Sequence, residues 1–252
     1  MSIETEKQFE GMKAIGQIVA NCLELMKSSA QPGMRTEELD LVGAKFLEEY
    51  GANSAPIKMY NFPGSTCISV EHEGVHGVPG PQVLKEGDLI NIDVSAELNG
   101  FFADTGGSFV LGQGCSEKQN LCLATRRALK LALKYVSHGK PINLMGKEIE
   151  KFAHKQGLSV IENLGGHGVG NSLHEEPEFI ANFFVKKDNR IFKENSVVAI
   201  EPIISTGARI LVDKGDGWTL HHPHFFTAQF EHTVMVTKGR PFIFTKPTIK
   251  AS

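Results

Sequence analysis

The chain has 252 residues, enough for one large α/β domain or two small ones, and either choice buries an ample core. Its formal net charge of −3 argues against a nucleic-acid or acidic-lipid partner. No apolar run approaches membrane-spanning length, and the opening Met-Ser-Ile-Glu-Thr-Glu carries acids where a signal peptide carries positive charge. Four cysteines, Cys22, Cys67, Cys115 and Cys122, stand singly without C-x-x-C spacing, as suits a reducing compartment. A soluble cytoplasmic protein is the expectation.

In chain order, residues 5–30 place Phe9, Met12, Ile15, Val19, Leu23 and Met26 at helical spacing, and Pro32-Gly33 stops that helix. Thr36 followed by Glu37 and Glu38 predicts a capped second helix running to Gly51. Strand-like sequence follows at 66–70, 88–96 and 101–111. The order then repeats. Ser116 with Gln119 reads as a capping box for a helix that ends before Gly139, and Asn143 opens another that stops at Gly157. Strands are expected near 158–162, 197–204 and 226–237. Arg126, Arg127, Lys130 and Lys134 have helical spacing and read as a solvated face. No linker or composition break divides the chain, so one domain over 1–252 is expected, built from similar halves at about 5–111 and 116–237.

Asn99-Gly100 between two alternating runs is the sequence of a two-residue type I′ hairpin turn. That turn pairs Leu98 with Phe101, Ser95 with Asp104 and Asp93 with Gly106. Asp93 and Asp104 then face the same side as diagonal neighbours, ~7 Å apart at Cβ. Asp93 is flanked by Leu89, Ile90, Ile92 and Val94, apolar on both faces as in a buried strand, so a merely solvated acid is the weaker reading.

Lys85-Glu-Gly-Asp-Leu-Ile-Asn-Ile-Asp93 aligns without gaps on Lys193-Glu-Asn-Ser-Val-Val-Ala-Ile-Glu201. Each copy ends in an acid and is followed by a second, Asp104 in the first half and Glu231 in the second. The repeat implies a pseudo-twofold site where four carboxylates converge. Four such groups cannot stay ionised together in a fold without cations between them, so the pattern predicts metal.

Gly165-Gly-His167-Gly-Val-Gly-Asn-Ser-Leu173-His174-Glu-Glu-Pro177 is the densest motif. Its glycines exclude the H-E-x-x-H zinc helix, while His167 among them suits a close approach to a metal. A glycine-flanked histidine is more often structural, but beside four duplicated acids His167 becomes the natural fifth ligand. His76, in Val75-His-Gly-Val-Pro, is ambiguous alone. His221, His222 and His224 around Pro223 resemble a metal cluster on paper and read as an exposed loop.

Taken together, Cys67-Ile-Ser-Val, His76-Gly-Val-Pro, Asn91-Ile-Asp93-Val, Ala103-Asp104-Thr, Gly-His167-Gly-Val-Gly with Leu173-His174-Glu-Glu-Pro, Ile-Glu201-Pro and Gln229-Phe-Glu231-His-Thr-Val resemble type I methionine aminopeptidases. The resemblance spans the whole chain. It implies the pita-bread fold, an α/β (α+β) arrangement around a dinuclear centre, with removal of N-terminal methionine ahead of a small second residue. By resemblance, Asp93, Asp104, His167, Glu201 and Glu231 hold two divalent ions (Co, Mn, Fe(II) or Zn). Asp104 and Glu231 bridge them, and His76, His174 and Glu201 are catalytic. The methionine pocket by the same route involves Phe62, Cys67, Leu173, Trp218, His76 and His174, with Met59 close by. Leu173 stands where an aromatic ring is common, and Pro56 and Met59 where several relatives carry Cys and Tyr. Implied partners are nascent polypeptides, at the ribosome or free, with a monomer acting on them and neither membrane nor specific nucleic acid involved. Two alternatives are a proline-specific peptidase of the same fold, which usually shows Arg-x-Glu where this chain has Gln229-Phe-Glu231, and a pita-bread protein that binds without catalysis.

Overall fold

The first helix, α1 (Glu6–Ser29), starts where Thr5 and Gln8 satisfy each other: the Thr5 hydroxyl accepts from the Gln8 amide at 3.2 Å and the Gln8 side chain accepts from the Thr5 amide at 3.0 Å. Its buried stripe includes Met12, Ile15, Val19, Cys22, Leu23 and Met26. A Cβ at Gly16 would lie 2.7 Å from Phe244, so glycine lets the C-terminal segment close against the helix. The computed structural model describes residues 1–248.

The start of α2 (Thr36–Glu49) departs from expectation by one residue. Arg35 is the N-cap, its amide donates to the Glu38 carboxylate at 2.7 Å, and the Thr36 hydroxyl donates to the Gly80 carbonyl at 3.0 Å. The hydroxyl is spent on a tertiary contact, so the acid in the first turn closes the helix instead. A short helix, α3 (Ala55–Tyr60), was not legible in the pattern; Ser54 caps it and Pro56 occupies its first turn. The expected box of Ser116 and Gln119 does not form. Cys115 is the N-cap of α4 (Ser116–Ala132), and Gln119 donates to the Gly114 carbonyl at 3.2 Å. Finally α5 (Ile142–Lys155) begins after Pro141, and the Asn143 side chain donates to the Asp188 carbonyl at 2.7 Å.

Two principal apolar clusters organise the molecule. In one, α1 and α2 cover Ile68, Ile90, Ile92, Val94 and Ala103; in the other, Leu121, Ala128 and Leu129 of α4 and Met145 and Ile149 of α5 pack with Val198, Ile200, Ala228 and Val234. Val169, Leu173, Val197 and Ala199 cross from the second half into the first cluster, which ties the halves together. Arg126, Arg127, Lys130 and Lys134 are exposed, as read.

The sheets are antiparallel. Strand Leu89–Leu98 pairs with Phe101–Val110, Cys67–Val70 and Asn53–Ser54. The hairpin register is the expected one, with Leu98 opposite Phe101, Ser95 opposite Asp104 and Asp93 opposite Gly106. Asn99 and Gly100 have φ 53° and 86°, the positive values a type I′ turn needs. In the second half a five-stranded sheet runs Phe242–Ile243, His232–Met235, Val197–Ile200, Gly166–Gly168, Glu175–Ile180. The expected strand at 197–204 is interrupted at Glu201-Pro202, and Ile203–Ser205 joins a separate sheet with Thr227–Gln229 and Ser159–Val160. Proline has no N–H for the ladder, which accounts for the break. A bridge between Gly107 and Phe230 links the two main sheets.

Candidate active site

The sequence repeat is a structural repeat at its turn. Gly87 (φ 84°) and the equivalent Asn195 (φ 63°) both adopt the left-handed conformation just before their strands. Those strands deliver Asp93 and Glu201. Asp104 comes from the return strand of the hairpin, and Glu231 from the gap between Thr227–Gln229 and His232–Met235. Side chains stitch the two acids' backbones together across the halves. Asp104 and Thr233 exchange bonds, amide to hydroxyl at 2.9 Å and hydroxyl to carbonyl at 2.7 Å, while the Thr105 hydroxyl donates to the Glu231 carbonyl at 2.9 Å.

His167 sits in a three-residue strand squeezed between two others. A Cβ at Gly166 would lie 2.3 Å from the Ala199 carbonyl and one at Gly168 2.3 Å from that of Glu176, so the flanking glycines are required by the close approach of three backbones. The ring's Nδ1 is 2.9 Å from the Gly168 carbonyl. A carbonyl only accepts, so Nδ1 carries the proton and Nε2 presents its lone pair to the acids. Nε2 lies 3.7 Å from both Asp104 and Glu201.

One donor atom each from Asp104, His167 and Glu231 falls within 4.8 Å of the others. Burial pushes Asp104, Glu201 and Glu231 well above the usual carboxylate range, and the neighbouring acids push them further; burial also raises Asp93. Burial chiefly, with His174 nearby, takes His167 down to about 3, so the ring is neutral. Asp104 Oδ1 and Glu231 Oε1 are buried without any hydrogen-bond partner. Orphaned carboxyl oxygens facing a neutral imidazole are the donor set of a divalent cation, and the residues present fit one.

Gln229 takes a part at the site that its place in the Gln-Phe-Glu motif does not reveal. Fully buried, its amide nitrogen donates to Asp93 at 3.0 Å and to Glu231 at 3.1 Å, one acid from each half. Asn91 orients it by donating to its oxygen at 2.9 Å. A Cβ at Gly106 would fall 2.2 Å from that oxygen, so the hairpin needs glycine there.

Beside the acids opens a cavity of about 280 Å³. Its remaining walls are Pro56, Tyr60, Phe62, Cys67, Ser95, His76, Leu173, His174 and Trp218. Phe62 and Trp218 meet edge to face at 5.2 Å. Met59, expected close by, is 39% exposed and does not line the cavity; its neighbour Tyr60 does. His76 has φ 56°, and a Cβ at the next residue, Gly77, would lie 2.2 Å from the Ile68 carbonyl. Such a conformation in a non-glycine residue is strained and is commonly held for function. His76 opens onto the cavity yet lies deep between its walls, and that setting, with His174 beside it, lowers its pKa. The His174 ring centre lies 4.2 Å from that of His167 with the planes tilted by 43°, and its Nδ1 lies 2.6 Å from the Tyr60 hydroxyl. Elsewhere, His221 and His222 are half-buried rather than exposed, because Leu220–His221 pairs with Glu73–Val75; only His224 is fully out. Among the described residues these three form no metal-binding group.

A pseudo-symmetric α/β fold holding a buried carboxylate and imidazole cluster beside an apolar cavity defines a metallohydrolase of the pita-bread type. The family model for metallopeptidase family M24 matches residues 10–238, and the chain belongs to that family. It is 48% identical to methionine aminopeptidase 2 of Bacillus subtilis, over 98% of this chain and all of that protein. The structure of methionine aminopeptidase from Rickettsia prowazekii superposes with a TM-score of 0.92 at 33% identity, covering 98% of this chain and all of that one. The prolidase from Pyrococcus horikoshii shares the fold at a TM-score of 0.78 and 19% identity, with 65% of its length covered. No helix of the described residues is long and apolar enough to cross a membrane.

Proposed function

We infer that the protein removes the N-terminal methionine from nascent proteins and peptides whose second residue is small. The observation that carries this reading is that the buried acid cluster and an apolar cavity of about 280 Å³ share one space. Phe62, Cys67, Leu173 and Trp218 would receive an unbranched thioether side chain, a contact favourable between sulfur and aromatic edges.

Asp93, Asp104, His167, Glu201 and Glu231 would hold two divalent ions; cobalt, manganese, iron(II) and zinc all suit the donor set. When bound, such ions make hydroxide available from water near neutral pH and offset the carboxylates' charge. Glu201 would take the proton of the attacking water and pass it to the departing amine. His174 would donate to the carbonyl oxygen as negative charge develops there. His76 would steady the peptide backbone or the leaving nitrogen. We further read the chain as one catalytic domain of two related halves, about 5–111 and 116–237. It would act as a monomer in the cytoplasm, on chains emerging from the ribosome, without specific nucleic-acid recognition.

Gln229 supports this over the proline-specific branch: it occupies the place of the arginine in Arg-x-Glu, and its amide already serves Asp93 and Glu231. The test is metal-reconstituted protein assayed side by side on Met-Ala-Ser and Ala-Pro peptides. Release of methionine is the expected result. Cleavage confined to Xaa-Pro substrates would move the protein to the other branch, and cleavage of neither would leave a binding protein.

A further inference from the structure

We propose that Tyr60 is a positioning residue that fixes the tautomer of His174, so that this ring presents an N–H to the substrate carbonyl. The proposal rests on the reading that His174 serves that carbonyl.

The contact is the 2.6 Å approach of the Tyr60 hydroxyl to His174 Nδ1. No other group of the described residues hydrogen-bonds to either ring nitrogen of His174. A phenol is the better donor of the pair and an imidazole nitrogen the better acceptor, so the phenolic proton points at Nδ1. Nδ1 is then proton-free, and Nε2, the nitrogen left for the cavity, carries the hydrogen. The opposite arrangement would turn a lone pair toward the developing oxyanion and repel it.

Tyr60 is 41% exposed, so burial does not place it. The helix does. Ser54 and Pro56 fix the start of α3, and Asn61 ends it in the left-handed conformation at φ 57°. Midway, Lys58 pairs at 2.7 Å with Glu97, a buried acid that also receives the Asn53 side chain at 2.9 Å and the Gly100 amide at 2.6 Å. The phenol is thereby anchored to the hairpin that carries Asp93 and Asp104. Its ring centre lies 5.7 Å from that of His174.

The experiment uses zinc-loaded enzyme and a Met-Ala-Ser substrate, comparing Tyr60→Phe, His174→Ala and the double variant, with metal content measured in each. Tyr60→Phe should lower kcat about tenfold with KM unchanged, the loss of one hydrogen bond felt in the transition state. His174→Ala should lower kcat on the order of 100-fold, and adding Tyr60→Phe to it should change nothing more. Nitrogen-15 spectra of histidine-labelled enzyme should show the His174 proton on Nε2, and a mixture of tautomers in Tyr60→Phe. Unchanged kcat in Tyr60→Phe beside a slow His174→Ala overturns the proposal and leaves the role of His174 standing. Unchanged kcat in His174→Ala overturns that role and the proposal with it. A further loss in the double variant, or a proton on Nδ1, shows that Tyr60 does not act through this tautomer.

Discussion

Strands Leu89–Leu98 and Val197–Ile200 leave the same kind of turn, pass a buried isoleucine, Ile92 or Ile200, and part company at the acid that follows. The first runs on past Asp93 to the Asn99-Gly100 turn and comes straight back with Asp104. The second is cut at Glu201 by Pro202, its continuation enters another sheet, and Glu231 returns in a gap between two short strands. An unbroken ladder holds Asp93 and Asp104 as a rigid clasp. The interrupted half instead makes room for the glycine-lined strand of His167 and the loop of His174. On the proposed reading, holding cations would be the symmetric task, shared by both halves, and the proton chemistry would fall where the symmetry fails.

The largest test of the shared task is removal of metal. Each cluster carboxyl has a folded-state pKa above its unfolded one, so the chelated folded protein keeps protons that the unfolded chain gives up above about pH 4.5. The stability these groups contribute is therefore present at low pH and lost as pH rises through the raised values. Thermal stability of chelated protein should fall as pH rises above about 4.5, by the largest margin among these tests, and saturating divalent metal should remove the slope. A flat profile after chelation would mean the acids are not held against their charge.

Next in size, Ile92→Ala and Ile200→Ala test whether the halves carry equal shares of the core. Both side chains are fully buried in their own clusters. Each should cost about 2–5 kcal/mol in denaturant unfolding, and the two costs should agree closely. A cost confined to one half would show that the other relaxes around its cavity. Gln229→Ala removes an amide that serves an acid from each half, and it should weaken metal affinity about 10- to 100-fold by titration calorimetry while the fold persists. Wild-type affinity would reduce Gln229 to filler. The smallest effect belongs to the turn. Asn195→Gly should shift stability by under about 0.5 kcal/mol, because relief of the left-handed strain offsets the greater freedom of glycine when unfolded. Gly87→Asn should cost about 1 kcal/mol or more, since a Cβ there meets the Gln113 carbonyl at 3.1 Å. Equal outcomes would make the two turns interchangeable.

The hairpin was legible to the residue because a two-residue turn leaves no freedom of register once Asn99-Gly100 is recognised. Helix starts were legible only to within a residue. Whether the Thr36 hydroxyl caps its own helix or reaches Gly80 depends on a segment far along the chain. Helix α3 was invisible because six residues are too few for a periodic stripe, and its phase decides whether Met59 or Tyr60 meets the cavity. One step of about 100° around a helix exchanges them. Gln229 could be noticed as a letter, but its reach to Asp93 follows only from the docking of the two halves.

The four thiols are distributed in a way that matters at the bench. Burial raises Cys22 and Cys122 to about 12, and Cys67, in the cavity wall, well above the usual thiol range by burial first and Asp93 second. A fully protonated thiol is a poor nucleophile, so an alkylating dye at neutral pH finds three of the four unreactive. Cys115, exposed at the start of α4, remains. It offers a single attachment point for a fluorophore on native protein, away from the walls of the cavity, with no cysteine needing to be engineered out.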